Sequence, residues 1–125
     1  MSVCFTDASY DPKLKFGVIV YRIYPNGINY EYEQTIKIFN EIKNSELEKI
    51  GIQECINSTL EFDHVTIFTD CKSAISEFQN DRVLIVYIKG HTKKINRDEN
   101  GLIFREIDIL SRKKLRKIRK DMMNV

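Results

Sequence analysis

Two apolar runs of the chain close on the same residue type: Val3-Cys4-Phe5-Thr6-Asp7 and Val65-Thr66-Ile67-Phe68-Thr69-Asp70. Aspartate is depleted in strands, because its carboxylate resists burial and competes for backbone hydrogen bonds. One such residue reads simply as the start of a turn. Two matter more if their strands lie parallel and adjacent. Both carboxylates then stand at the carboxyl edge of a sheet, where open α/β folds assemble their sites.

Glu48 is the third acid of interest. In helical register it shares a face with Ile52, Cys55 and Ile56, and so points toward a core, whereas Glu46 shares a mixed stripe with Lys49, Ile50 and Gln53. Glu48 also fits the last position of a capping box opened by Ser45, and the two roles are compatible. Asp108 is the fourth, on a stripe with Phe104, Ser111 and Leu115. Aspartate is a poor residue for a helix interior, and an inward-facing charge needs a partner or a metal. Arg105 and Arg112 stand at the spacing of a helical ion pair with it. Carboxylates that converge without neutralisation repel each other by an amount on the order of several kcal/mol. Divalent cations remove that repulsion, and all-oxygen ligands favour Mg²⁺ or Mn²⁺ over zinc.

The elements that would carry these acids can be read from periodicity. Val3 to Asp7 reads as a short strand, and Lys15 to Ile23 as a second, rich in β-branched and aromatic residues. Tyr24-Pro25-Asn26-Gly27 predicts a tight hairpin turn, followed by a third strand over Asn29 to Phe39 with Tyr30, Tyr32, Ile36 and Ile38 on one face. The period changes to helical at Asn44, with Ile52, Cys55, Ile56 and Leu60 in phase. A strand over His64 to Thr69, a short helix over Lys72 to Gln79 with Ile75 and Phe78 inward, and a strand over Arg82 to Ile88 follow. Thr92 to Asn100 reads as a polar loop, and Leu102 to about Met122 as a long helix whose Leu115, Ile118 and Met122 keep one stripe docked. The order β-β-β-α-β-α-β-α predicts an α/β fold with one mixed five-stranded sheet flanked by helices.

Composition bounds the rest. A chain of 125 residues, 42% hydrophobic and 30% charged, is expected to form a single globular domain over residues 1–125, with the basic helix end included. The apolar runs are too short to cross a membrane, and the first residues lack the pattern of a secretory signal. Three cysteines without a CxxC pair argue for reduced thiols, an intracellular location (cytoplasmic or nuclear), and against a disulfide scaffold or zinc site. The net charge of +2 conceals an asymmetry: residues 111–120 hold seven of the 20 basic residues and no acid. Such a run is either a phosphate contact or a solvated helix face.

Taken together, these pieces resemble the ribonuclease H family, in its cellular type 1 and retroviral forms. The likeness rests on Thr6-Asp7-Ala8-Ser9, Asn44-Ser45-Glu46-Leu47-Glu48, Thr69-Asp70-Cys71-Lys72-Ser73, Lys89-Gly90-His91 and Glu106-Ile107-Asp108-Ile109-Leu110-Ser111-Arg112, in family order from about Val3 to Lys120. The resemblance implies a ribonuclease H-like fold and a Mg²⁺-dependent endonuclease, with Mn²⁺ able to substitute. Its substrate would be the RNA strand of an RNA–DNA hybrid, cut to 5′-phosphomonoesters by a monomeric protein. Asp7 would bridge two metal ions, Glu48 and Asp70 would hold the one on the leaving-group side, and Asp108 would help hold the one carrying the attacking water. His91 matches a histidine that assists proton handling or product release. Ala8, Ser9, Asn44 and Lys72 fall where the family touches the substrate backbone, and selectivity for a hybrid rests on 2′-hydroxyls. Lys113, Lys117 and Lys120 are the candidate phosphate contacts of the basic helix end.

Three departures from the family pattern stand out. The span from Asp70 to His91 is too short for the extra helix and basic protrusion of some cellular members. The span from His91 to Asp108 is longer than usual, which makes Asp98 a rival fourth carboxylate. Lys72 stands where Gln is common. A proofreading-type exonuclease would need an acid at position 9, which is Ser9. The remaining alternative is a non-catalytic nucleic-acid-binding or protein-interaction module on the same fold.

Overall fold

The structure, a computed structural model, describes residues 1–88 and 98–123. It contains β1 (Ser2–Asp11), β2 (Phe16–Tyr24), β3 (Glu33–Asn40), α1 (Asn44–Asn57), β4 (Val65–Thr69), α2 (Ala74–Phe78), β5 (Val83–Tyr87) and α3 (Glu99–Met123). The five strands form one sheet in the order β3-β2-β1-β4-β5. β1–β2 and β2–β3 are antiparallel, and β1–β4 and β4–β5 are parallel. The mixed sheet and the element order are those read from the sequence.

Burial explains the layers. One cluster joins Cys4, Ile19, Tyr21 and Ile67 to Leu47, Ile52 and Cys55 of α1. The other joins Val3, Phe5, Val18 and Val20 to Phe104, Ile107 and Leu115 of α3. Successive side chains of a strand face opposite sides of a sheet, so β1 gives its even positions to α1 and its odd positions to α3. α1 comes very close to β1 at Gly51, where a Cβ would stand 2.6 Å from the Thr6 hydroxyl. This close approach sets Glu48, one turn earlier, beside the strand ends.

Several local expectations need correction. β1 does not stop at Asp7 but runs on to Asp11, because β2 continues to pair with it, with Asp7 opposite Val20 and Asp11 opposite Phe16. The β2–β3 connection is not a tight two-residue hairpin. Two successive turns, Gly27 N–H to Tyr24 O and Tyr30 N–H to Gly27 O, carry it to Glu33, with Gly27 at φ 101°. Tyr30 therefore precedes the strand, and Ile36 and Ile38 are exposed on it. The Ser45 capping box does not form: Lys43 is the cap residue of α1 and no side chain caps the helix. Leu60 and Ile75 are exposed, and the α2 residue that is fully buried is Ala74. α3 starts at Glu99, earlier than expected, and of the expected stripe Leu115 is buried and Ile118 packs beside it, while Met122 is exposed.

Candidate active site

The register of β1 and β4 decides where the first two acids lie. Phe5 is opposite Phe68 in the parallel pair, so two residues further on Asp7 comes level with Asp70, just past the end of β4. Asp7 is buried within β1, and Asp70 is half-buried. α1 adds Glu48 and α3 adds Asp108, and all four carboxylates line one open cavity of about 600 Å³. Ala8, Ser9, Tyr10, Pro12, Asn44 and Arg112 complete much of its wall. Glu46 is exposed and lies in a separate depression between α1 and α2, with Lys49 and Glu77. The helical phase that separated Glu48 from Glu46 thus holds.

Electrostatics at this cavity are strained toward protonation. Burial pushes the Asp7 carboxyl well above the usual carboxylate range, a hydrogen bond with Asp108 and the charges of Asp70 and Asp108 add to it, and only the Ala8 N–H acts the other way. Burial also raises Glu48, the Asp70 charge raises it further, and a hydrogen bond from the Cys71 thiol lowers it. Asp108 forms an ion pair with Arg112 one turn later in α3. Among the described residues no three acids, histidines or cysteines are placed so that together they could hold a metal ion. The donors are nevertheless all carboxylate oxygens, the type that hard divalent cations take. The donor chemistry fits such a cation.

The remaining candidates divide. Asn44 is exposed at the start of α1 and Ala8 is half-buried, both on the cavity wall. The Ser9 hydroxyl is turned to Ser111, 2.7 Å away and buried. Lys72 is exposed, with its ammonium 5.1 Å from the centre of the Tyr87 ring. Lys113, Lys117 and Lys120 are exposed on α3. His91 lies outside the described residues, with the rest of Lys89-Gly90-His91. Asp98 is exposed and accepts the Gly101 N–H at 2.8 Å, so it acts as the cap of α3. It does not line the cavity, which leaves Asp108 as the fourth carboxylate there. Sequence reasoning missed Cys71, whose only signal was its place beside Asp70. It weighed Arg112 as a helix pair and as part of the basic run, not as a residue of the cavity that its side chain lines.

No family model matches the sequence, and no curated protein matches it. Among solved structures, the native prototype foamy virus protease-reverse transcriptase is similar, with a TM-score of 0.71 at 14% sequence identity. The match covers 90% of this chain and 20% of that one, so this chain spans about a fifth of its neighbour's length. At that identity the likeness is one of fold. With the β3-β2-β1-β4-β5 sheet and its flanking helices, the fold is ribonuclease H-like.

Proposed function

We propose that this protein is a metal-dependent endonuclease that hydrolyses the RNA strand of RNA–DNA hybrids. The observation that carries the reading is the meeting of four acids from four parts of the chain, Asp7, Glu48, Asp70 and Asp108, in one open cavity, with Asp7 buried. A buried acid pressed by two others is a liability in a purely structural site and an asset in one built to bind cations. Asp7, Glu48, Asp70 and Asp108 would hold two Mg²⁺ ions, or Mn²⁺ in their place, as the family resemblance implies. Bound there, the cations would lower the pKa of an attacking water and stabilise the departing 3′ oxygen. The chain's own residues do the rest. Cys71, beside Asp70, opposes the rise of the Glu48 pKa, and Arg112 pairs with Asp108. Asn44 and the Ala8–Ser9 backbone border the cavity, where a sugar-phosphate chain would cross.

One observation favours a second reading, a nucleic-acid-binding or protein-interaction module without catalysis. Arg112 already neutralises Asp108 within the chain. The experiment that separates the two incubates a labelled RNA–DNA hybrid with the protein in Mg²⁺, Mn²⁺ or EDTA, beside Asp70→Asn. Cleavage in either metal, lost in EDTA and in the folded Asp70→Asn variant, is the expected result. Hybrid binding without cleavage in any metal would leave the binding module.

A further inference from the structure

We infer that the free edge of β3 is the interface of a symmetric dimer, the partner being a second copy of this chain. β3 is an edge strand of the sheet. It pairs with β2 along its whole length, from Glu33 opposite Ile23 to Asn40 opposite Phe16, so among the described residues one row of backbone groups has a strand beside it and the other does not. Edge strands are normally guarded by proline, bulges, brevity or several charges. β3 has eight residues, no proline or glycine, and a single lysine, Lys37, which reaches across to Glu54 of α1.

The strand is also apolar on one face. Ile36 and Ile38 lie opposite Val20 and Val18, which belong to the buried cluster beneath α3. Yet Ile36 is 40% exposed and Ile38 46%, with Tyr32 just before the strand at 48%. This face of the sheet therefore continues past the helix that covers β1 and β2.

Charge complementarity selects the occupant and the register. Let two copies of β3 pair antiparallel about a two-fold axis at Thr35. Glu33 of each copy then stands opposite Lys37 of the other, so each Lys37, already paired with Glu54 of its own α1, gains a second carboxylate. On the other face Ile36 meets Gln34, and Ile38 meets Tyr32. Centring the pair on Lys37 or on Glu33 instead sets like charges face to face, and centring it on Ile36 pairs no charges at all. Glu33 is exposed and has no ionic partner among the described residues. The acid cavity is built on β1, two strands away, so both cavities remain open. The inference stands independently of the nuclease reading.

The test measures mass in solution by sedimentation over a range of protein concentration, with circular dichroism to check the fold. The wild type should form a dimer. Glu33→Lys places like charges opposite each other twice per dimer and should raise the dissociation constant about tenfold. The triple variant Glu33→Lys/Lys37→Glu/Glu54→Lys, which reverses the internal Lys37–Glu54 pair as well, should restore the affinity. Amide hydrogen exchange on the wild type supplies a second measurement: protection in β3 should rise with protein concentration. A monomer at every concentration, a dimer indifferent to Glu33→Lys, or β3 protection independent of concentration would each overturn the inference, as would a triple variant no tighter than the single.

Discussion

The hydroxyls of Ser9 and Ser111 meet 2.7 Å apart in a buried contact, and the Ser111 hydroxyl lies 2.9 Å from the Asp108 carbonyl. They are the middle of three polar meetings between β1 and α3. Asp7 meets Asp108, Ser9 meets Ser111 and Asp11 meets Arg119. Alternate positions of the strand thus meet the helix first one turn and then about two turns further along, and this register holds Asp108 against Asp7.

Ser111 donates to the Asp108 carbonyl, so Ser9 donates to Ser111. Ser111→Ala then strands the Ser9 hydroxyl in a buried place and should lower stability by about 1–3 kcal/mol. Ser9→Ala leaves Ser111 its carbonyl partner and should lower it less. Urea titrations of both variants and of the double measure this. The double should lose less than the two singles together, because the hydroxyls share one bond. A costlier Ser9→Ala would reverse the order of donors.

The two acids of α1 are two residues apart, yet only Glu48 shares a cavity with Asp7, Asp70 and Asp108. Glu48→Gln is expected to abolish hybrid cleavage, while Glu46→Gln keeps most of it. Initial rates at saturating Mg²⁺ decide the matter. The reverse ranking would place the catalytic cavity elsewhere.

Asp7 should make the metal-free protein less stable as pH rises. Its folded carboxyl titrates above the usual carboxylate value. Between that usual value and the raised one, the folded state keeps a proton that the unfolded state has lost, so stability falls with increasing pH across the window. Asp7→Asn removes this effect, and in EDTA it should melt no lower than wild type. Mg²⁺ should raise the wild-type melting temperature by binding the folded form, and raise that of Asp7→Asn less. Calorimetry with and without Mg²⁺ checks both, and a large loss of stability in Asp7→Asn would mark Asp7 as a structural residue.

Much of this was legible in the chain because it depends on period. The switch from alternation to helical spacing at Asn44 located α1, and the phase of Glu48 with Ile52 and Cys55 located its carboxylate. What escaped depends on partners distant in sequence. Nothing local to Asp7 says that β2 will carry β1 on to Asp11, since that is set by pairing with Phe16 to Val20. Asp98 reads as a ligand in sequence because a helix cap and a metal ligand use the same exposed carboxylate. Ile36 and Ile38 alternate as a buried strand face does, and their exposure follows from where α3 lies.

Asp11 gives a second pH dependence, of opposite sign. Its carboxylate accepts the Leu14 and Lys13 N–H groups at 2.9 Å each and pairs with Arg119 at 2.6 Å. The Leu14 bond is the largest cause holding its pKa below the usual carboxylate value, burial opposes it, and Arg119 and the Lys13 N–H assist. Its contribution to stability is therefore fully present above the unfolded carboxylate pKa of about 3.9 and is lost as pH falls through the folded value. Denaturant midpoints of wild type and Asp11→Asn should differ at neutral pH and converge in acid. A gap that stays constant would mean that Asp11 acts by packing alone.

Two of the seven basic residues between positions 111 and 120 have internal tasks: Arg112 pairs with Asp108 and Arg119 with Asp11. Lys113, Lys117 and Lys120 are exposed, at helical spacing along α3. If they meet phosphates, substituting all three with Gln should weaken hybrid binding and flatten its salt dependence by roughly one log–log unit for each phosphate no longer neutralised. Cleavage should suffer mainly in KM, because these groups stand away from the carboxylates. Because neither internal pair is touched, the melting temperature should hold. Binding measured across a salt series reads the slope directly. An unchanged affinity and slope would make this stretch a solvated helix face and leave the hybrid to Asn44, Lys72 and the walls of the acid cavity.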